Sequence, residues 1–414
     1  MRVVMNVSAT VGSKTGVGHY TAELLKALQA TGEVEMSTYP HPVLSKLHKT
    51  LGGGPKVVAL PPQPAPVGAG LPAGPAPAKH AEIARPSWLR RVRAPLRHGW
   101  RMVNSVYTRA VFDRRRYDLY HEPNFVPLPG RLPAVVTIHD LSPILYPHWH
   151  PADRIAWFAR HFTPNVRKIA HVLAVSEFAR QEIINTFHFP PERVTRTYNG
   201  VREHFRPLPP AETANTLRQL GLPPSYLLHV GTIEPRKNLD MLLRAYCRLP
   251  ADLRERCPLV LVGAWGWRME ETAKYFEAEA RHKNVIRPGY LPDGALAAVY
   301  NGARALVFPT LYEGFGMPAA EMLACDGAVL SSTAGAVAEV LGGCGHLIDP
   351  NDSDGWRAAM AKVITDGDWR DDLRKGGVAQ AAQFTWEACA RDTLTAYRKT
   401  LADAEAKRVP TRTV

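Results

Sequence analysis

The stretch LYEGFGMPAAEMLACDG, beginning at Leu311, places two carboxylates, Glu313 and Glu321, on either side of a Gly-Phe-Gly turn and a proline. It follows the apolar run ALVFPT, which reads as a strand. Pro318 sits where a first helical residue belongs, so Glu313 is expected in a loop and Glu321 in the first turn of a helix, both facing one cleft. Ionised carboxylates accept hydrogen bonds and donate none, which suits paired hydroxyls such as those of a ribose and a hexose. The acid and base of a glycoside hydrolase are the rival chemistry, and a helix cap with stray acids is the plain structural alternative.

Three further stretches follow apolar runs and carry groups that could act with the glutamates. In HVGTIEPRKNLDMLL, Arg236 and Lys237 precede a helix opened by Asn238. Free amides at a helix N-terminus attract an anion, and the two cations add charge-assisted hydrogen bonds, so this is a phosphate site in outline. In VVTIHDL, His139 and Asp140 end a strand, where a neutral imidazole can donate to or accept from a sugar hydroxyl. In TGVGHY, Gly16 and Gly18 lie between the first strand and the first helix and allow close approach of backbone to a ligand. As a dinucleotide fingerprint that loop is weak, because Thr21 stands where the third glycine would be.

The elements needed to position these residues are legible as alternating short strands and helices. VVMNV, DLYHE, AVVTIHD, VLAVS and VTRTYNG read as strands, with helical stretches near 153–169 and 176–187. After the polar REHFRPLPPAE a second set begins with YLLHVG, PLVLVG, NVIRPG, ALVFPT, AVLSS and HLID, each followed by a helix. Strands that are apolar on both faces and alternate with helices imply parallel sheets covered on both sides. At 414 residues the chain is too long for one core. The expectation is an α/β protein with two doubly wound, Rossmann-like domains, residues 1–205 and 206–385, facing across a cleft, with a C-terminal helix in 386–414 crossing back to the first.

Composition narrows the function classes. Five cysteines without a C-x-x-C pair or a zinc-ligand spacing imply a reducing compartment and no structural metal. The N-terminus lacks the features of a signal peptide and no run approaches a membrane span, so a cytoplasmic protein is expected. Residues 52–84 are rich in proline and glycine and are expected to be a flexible insert. Much of the net charge of +13 sits in residues 85–116, where ten arginines from Arg85 to Arg116 face a single acid, Asp113, and are interleaved with apolar residues. Such a segment suits an anionic membrane surface, placing the protein peripherally on the inner face of the cytoplasmic membrane, or a solvated face of the domain. Nucleic acid is not expected, because no recognisable motif accompanies the charge.

Together these residues resemble a retaining glycosyltransferase of the GT-B fold, in the large family four that includes bacterial mannosyltransferases. The likeness is carried by E-G-F-G-x-P with the second glutamate eight residues on, by GTIEPRKN, HVLAVSEFARQEI, YNGV, VIRPGYLPDGALAAVYNGARALVFPT and FTWEACARDTLTAYR. It covers most of the chain outside the insert and the arginine-rich window. The resemblance implies an acceptor-side first domain and a second domain that binds a nucleotide sugar. Glu313, with Gly314, Phe315 and Gly316, would hold the donor sugar, Glu321 the ribose, and Arg236 and Lys237 the departing diphosphate. His139 would touch the sugar near the reacting carbon, the Gly16 to Gly18 loop would close on phosphates or acceptor, and Tyr290 and Leu291 would present backbone to the base. Thr232, Asp326 and the segment Ala336 to Val340 depart from the family's usual wording.

The resemblance further implies transfer of a hexose, mannose from GDP-mannose, to a lipid-linked or growing surface polysaccharide or lipopolysaccharide glycan, without metal or other cofactor. UDP-glucose or another nucleotide sugar is the alternative donor, and a non-catalytic nucleotide-sugar-binding member of an assembly complex is the alternative class.

Overall fold

The computed structural model describes residues 1–10, 16–39, 112 and 116–406. The proline- and glycine-rich insert lies outside the described residues, as does the arginine-rich window apart from Phe112 and Arg116.

Strands β1 (Arg2–Asn6), β2 (Glu35–Tyr39), β3 (Leu119–Glu122), β4 (Ala134–Ile138), β5 (His171–Ala174) and β6 (Val194–Arg196) form a parallel sheet in the order β2-β1-β3-β4-β5-β6. Among the described residues its helices are α1 (Gly16–Ala30), α2 (Ser142–Leu145), α3 (Ala152–His161) and α4 (Glu177–Phe187). The expected helix over 153–169 is shorter than its pattern: α3 stops at His161 and only a single 3-10 turn, Val166–Lys168, follows. Strand β2 was not foreseen. Its sequence EMSTY buries only Tyr39 and lies at the sheet edge, so it lacks the apolar run that marks the inner strands.

The second sheet comprises β7 (Tyr226–Val230), β8 (Leu259–Val262), β9 (Val285–Gly289), β10 (Ala303–Phe308), β11 (Val329–Ser332) and β12 (His346–Ile348), all parallel, in the order β12-β11-β10-β7-β8-β9. Numbered within its own lobe from the β9 edge this is 3-2-1-4-5-6, the order of dinucleotide-binding sheets, with its switch point between β7 and β10. Its helices are α5 (Pro210–Gln219), α6 (Leu239–Cys247), α7 (Ala251–Arg256), α8 (Glu270–Ala278), α9 (Asp293–Gly302), α10 (Met317–Ala324), α11 (Val337–Leu341), α12 (Ser353–Thr365), α13 (Gly367–Arg374) and α14 (Gly377–Ala381). Alternation along each strand sends Leu227, Leu259, Leu261 and Val307 into one core with Leu242, Phe276 and Trp356. Leu228, Val260, Leu306 and Phe308 enter the opposite core with Leu217, Ala297 and Met322. Each fully buried leucine of this kind contributes about 1.5–3 kcal/mol, which explains why both faces must be covered by helices.

The last described helix, α15 (Trp386–Ala406), returns to the first lobe, where Leu394 and Tyr397 share a core with Val3, Leu24 and Val135. Other contacts hold the lobes together. Glu339 on α11 accepts hydrogen bonds from the first two amides of α4, Glu177 N (2.7 Å) and Phe178 N (3.0 Å), and from the Tyr198 hydroxyl (2.6 Å). At another point of contact Trp267 Nε1 donates to the Trp149 carbonyl (2.8 Å) and Arg268 Nη1 to the His150 carbonyl (2.9 Å). No helix among the described residues is long and apolar enough to cross a membrane.

Candidate active site

The switch point brings the loop after β7 beside the loop after β10. The chain leaves β7 and turns through a single 3-10 turn, Pro235–Lys237, which carries both cations. Its Arg236 carbonyl accepts from Leu311 N (2.7 Å) and Thr310 Oγ1 (2.9 Å), locking the two loops together. Asn238 then caps α6 from a left-handed backbone conformation, with its side chain turned to the Pro350 carbonyl instead of to the helix.

Arg236 and Lys237 close on Glu313, which is only 6% exposed. Arg236 Nη1 lies 2.9 Å from Glu313 Oε2, and its Nε lies 2.8 Å from Glu234. Lys237 Nζ pairs with Glu313 Oε1. Burial alone would push the Glu313 carboxyl up, but Arg236 and Lys237 hold it down to about 2. Burial, seconded by Arg236, lowers Lys237. Burial also opposes the charge of Arg236, but Glu313 and Glu234 outweigh it and raise its pKa. The sequence reading assigned the cations to a phosphate and the glutamate to hydroxyls; it did not anticipate that they would be one buried ion cluster. A carboxylate held this low cannot supply a proton, so Glu313 itself is not the general acid of a glycoside hydrolase.

Gly314 presses against the end of β4. A Cβ there would lie 1.7 Å from the His139 carbonyl oxygen, so only glycine permits this approach. The Gly314 carbonyl accepts from Ser176 Oγ (2.6 Å), and the Tyr312 hydroxyl accepts from Leu141 N (3.0 Å) while donating to Glu182. The loop is thereby held by the ends of two strands of the opposite lobe. His139 Nε2 lies 2.8 Å from the Pro123 carbonyl, which can only accept, so Nε2 carries the hydrogen and Nδ1 the lone pair. Burial lowers its pKa and keeps the ring neutral, and Tyr20 packs against it edge-on at 4.8 Å.

Glu321 lies on the fifth residue of α10, not in its first turn, because the helix already begins at Met317 with Pro318 second. It is 5% exposed, and both oxygens are engaged: Oε2 accepts from the Tyr300 hydroxyl (2.9 Å) and Oε1 from Arg202 Nη2 (3.2 Å). Burial raises its pKa against the pull of Arg202. The turn between the glutamates is divided in purpose. Gly316 precedes the helix at φ 98°, and the Phe315 ring is buried against Phe384 and Tyr198.

The remaining expected residues are spread around this centre. Gly16 opens α1 and Gly18 lies inside its first turn, so these glycines belong to the helix and not to the loop before it, which includes residues outside the described set. Leu291 is buried in the C-terminal core, whereas Tyr290 stands 64% exposed. Sequence reasoning missed Arg202, Tyr300, Asp293, Tyr312 and Glu339. The only signal for Arg202 was its place directly after YNGV, in the crossing between lobes.

Comparison with known proteins agrees with this architecture. Residues 14–205 match Glycosyltransferase Family 4 and residues 216–380 match Glycosyl transferases group 1. O-antigen chain mannosyltransferase B of Escherichia coli is 37% identical over 310 residues, 74% of this chain and 78% of that one. Serotype-specific mannosyltransferase WbdA of Escherichia coli is 30% identical over 277 residues, 66% of this chain but only 34% of that longer protein. Among solved structures, Anabaena HepE in complex with UDP and glucose superposes with a TM-score of 0.65 at 15% identity, over 96% of this chain and 100% of that one. With two parallel six-stranded sheets, a switch point carrying both cations and these relatives, the chain belongs to glycosyltransferase family 4 and has the GT-B fold.

Proposed function

We propose that the protein transfers mannose from GDP-mannose, with retention of anomeric configuration, to a lipid-linked or growing surface polysaccharide glycan. The observation that carries the reading is the cluster of Arg236, Lys237 and Glu313 at the switch point, where a nucleotide's phosphates meet the ends of the strands. The likeness to an O-antigen chain mannosyltransferase supports the choice of mannose and of a glycan acceptor.

In this reading the acceptor hydroxyl attacks the anomeric carbon from the face that the diphosphate leaves. The new carbon–oxygen bond forms as the bond to phosphate breaks, and the hydroxyl proton passes to a diphosphate oxygen. Arg236 and Lys237 stabilise the charge developing on that diphosphate, the largest contribution a preorganised site can make. Glu313 holds the two cations in place and accepts from sugar hydroxyls. His139, neutral, offers the lone pair of Nδ1, and Glu321 receives the ribose. Two fixed cations fill the part a divalent metal plays elsewhere, so transfer is expected to survive a chelator; loss on chelation with recovery on adding magnesium would overturn this.

The deciding experiment incubates the purified protein with a panel of nucleotide sugars and a membrane lipid extract, then identifies the released nucleotide and the product anomer. GDP released from GDP-mannose with the anomer retained is expected. Release of GMP, preference for UDP-glucose, or an inverted product would each overturn a named part of the proposal. Contact of Arg85 to Arg116 with anionic lipid is part of the same reading, and rests on the sequence alone; flotation with vesicles containing and lacking phosphatidylglycerol tests it.

A further inference from the structure

Arg202 lies in the connection between β6 and α5 and reaches three elements at once. Its Nη2 donates to Glu321 on α10 at 3.2 Å, and its Nη1 lies 2.6 Å from Asp293 Oδ2 at the start of α9. The same Nη1 lies 3.1 Å from His19 Nδ1 on α1, in the opposite lobe. The guanidinium packs over the Phe205 ring at 4.8 Å and is 10% exposed. Tyr300 on α9 fixes the other Glu321 oxygen. Asp293 follows Tyr290 and Leu291 by only a few residues, and His19 adjoins Gly18. Thus a single guanidinium fork joins the second signature glutamate, the loop after β9 and the first turn of α1.

We propose that Arg202 is a positioning residue for the donor: it sets Glu321 in the orientation that receives the nucleoside hydroxyls and fastens that carboxylate to Asp293 and, across the lobes, to His19. The inference rests on the assignment of Glu321 to the ribose made above. A planar fork with two separate donor edges is needed to bridge two carboxylates, and lysine, a point charge, cannot reproduce it. Facing the guanidinium are Glu321 and Tyr300 from the C-terminal lobe, Asp293 beside them, His19 from α1, and His204 two residues along.

Calorimetric binding of GDP and of 2′,3′-dideoxy-GDP tests this without needing transfer. The wild type is expected to prefer GDP. Arg202→Ala should lose about tenfold or more in affinity for GDP while binding the dideoxy nucleotide as before, since a hydrogen bond to a charged group is lost. Arg202→Lys should lose nearly as much, and Glu321→Ala should show the same selective loss. The double variant should fall no further than Glu321→Ala, because both act through one contact. Equal loss for both nucleotides would mean a merely structural role, and additive losses in the double variant, or full ribose preference retained in Arg202→Ala and Arg202→Lys, would equally overturn the proposal. If the wild type binds neither GDP nor UDP, the functional reading itself fails; if it binds GDP and Glu321→Ala alone loses ribose preference, only the role of Arg202 fails.

Discussion

Gly314 and His139, on opposite lobes, approach so closely that a Cβ on Gly314 would stand 1.7 Å from the His139 carbonyl oxygen and 3.0 Å from the Asp140 Cβ. The signature loop therefore seats against the first lobe with no room for one methyl group. Gly314→Ala should separate the lobes at this point and cost transfer about 100-fold, the scale on which small misplacements of a reacting group act. The global unfolding midpoint should move far less, since each lobe keeps its own core. Parallel measurement of transfer rate and denaturant unfolding checks this; wild-type rates in the alanine variant would show that the approach is not needed for activity.

Lys237 is the more fragile of the two cations because burial and Arg236 both lower it, and Glu313 is the main anion that opposes them, seconded by Glu234. Replacing Glu313 with Gln removes that anion and should lower Lys237 further. A lysine with a depressed pKa is charged below it and neutral above, so the variant should lose phosphate binding as pH rises, at lower pH than the wild type. Lys237→Met, which cannot carry charge, should lose about 100- to 1,000-fold in turnover with no such pH dependence. Rate profiles of the three proteins against pH distinguish these outcomes.

Glu339 caps a helix of the other lobe. The first amides of α4 are without helical partners by geometry, and Ser176 satisfies only that of Ala179, leaving those of Glu177 and Phe178 to the Glu339 carboxylate. Glu339→Ala should lower stability by about 0.5–2 kcal/mol for the cap alone. The loss should exceed that of Tyr198→Phe, which removes only one of the three bonds Glu339 accepts. Urea unfolding of the two variants tests the order, and a larger loss in Tyr198→Phe would be inconsistent with it.

Much of this was legible in the sequence because the inner strands must be apolar on both faces. VVMNV, LVLV and ALVF announce themselves, and the loops that follow them could be searched for charge. EMSTY could not be read the same way, since an edge strand leaves one side to solvent. The types and loops of Glu313, Arg236 and Lys237 were visible, but their pairing was not: it follows from β7 and β10 lying side by side, a property of strand order. Asp326, one of the departures from the family's wording, lies just past the end of α10 and takes the guanidinium of Arg374 at 2.5 Å. Arg202 was hidden for a different reason, because a fork that spans two distant carboxylates leaves no local pattern.

Glu122 ends β3 as a buried carboxyl that the proposed reaction does not use. It accepts from Asn6 Nδ2 (2.7 Å), the Tyr120 hydroxyl (2.5 Å) and Asn124 N (3.1 Å), yet burial outweighs these three donors and pushes its pKa up to about 7 from 4.5. Because the folded value is the higher one, the folded chain keeps a proton that the unfolded chain releases between about 4.5 and about 7. Stability must therefore fall as pH rises through that window and level off above it, by ~3 kcal/mol from this group. Glu122→Gln cannot titrate, so the stability of the variant relative to wild type should climb between pH 4 and pH 8 by the same amount. Comparing the two proteins by chemical unfolding across this range cancels the contribution of every other group. A relative stability that falls instead would mean that the three donors hold Glu122 ionised in spite of its burial.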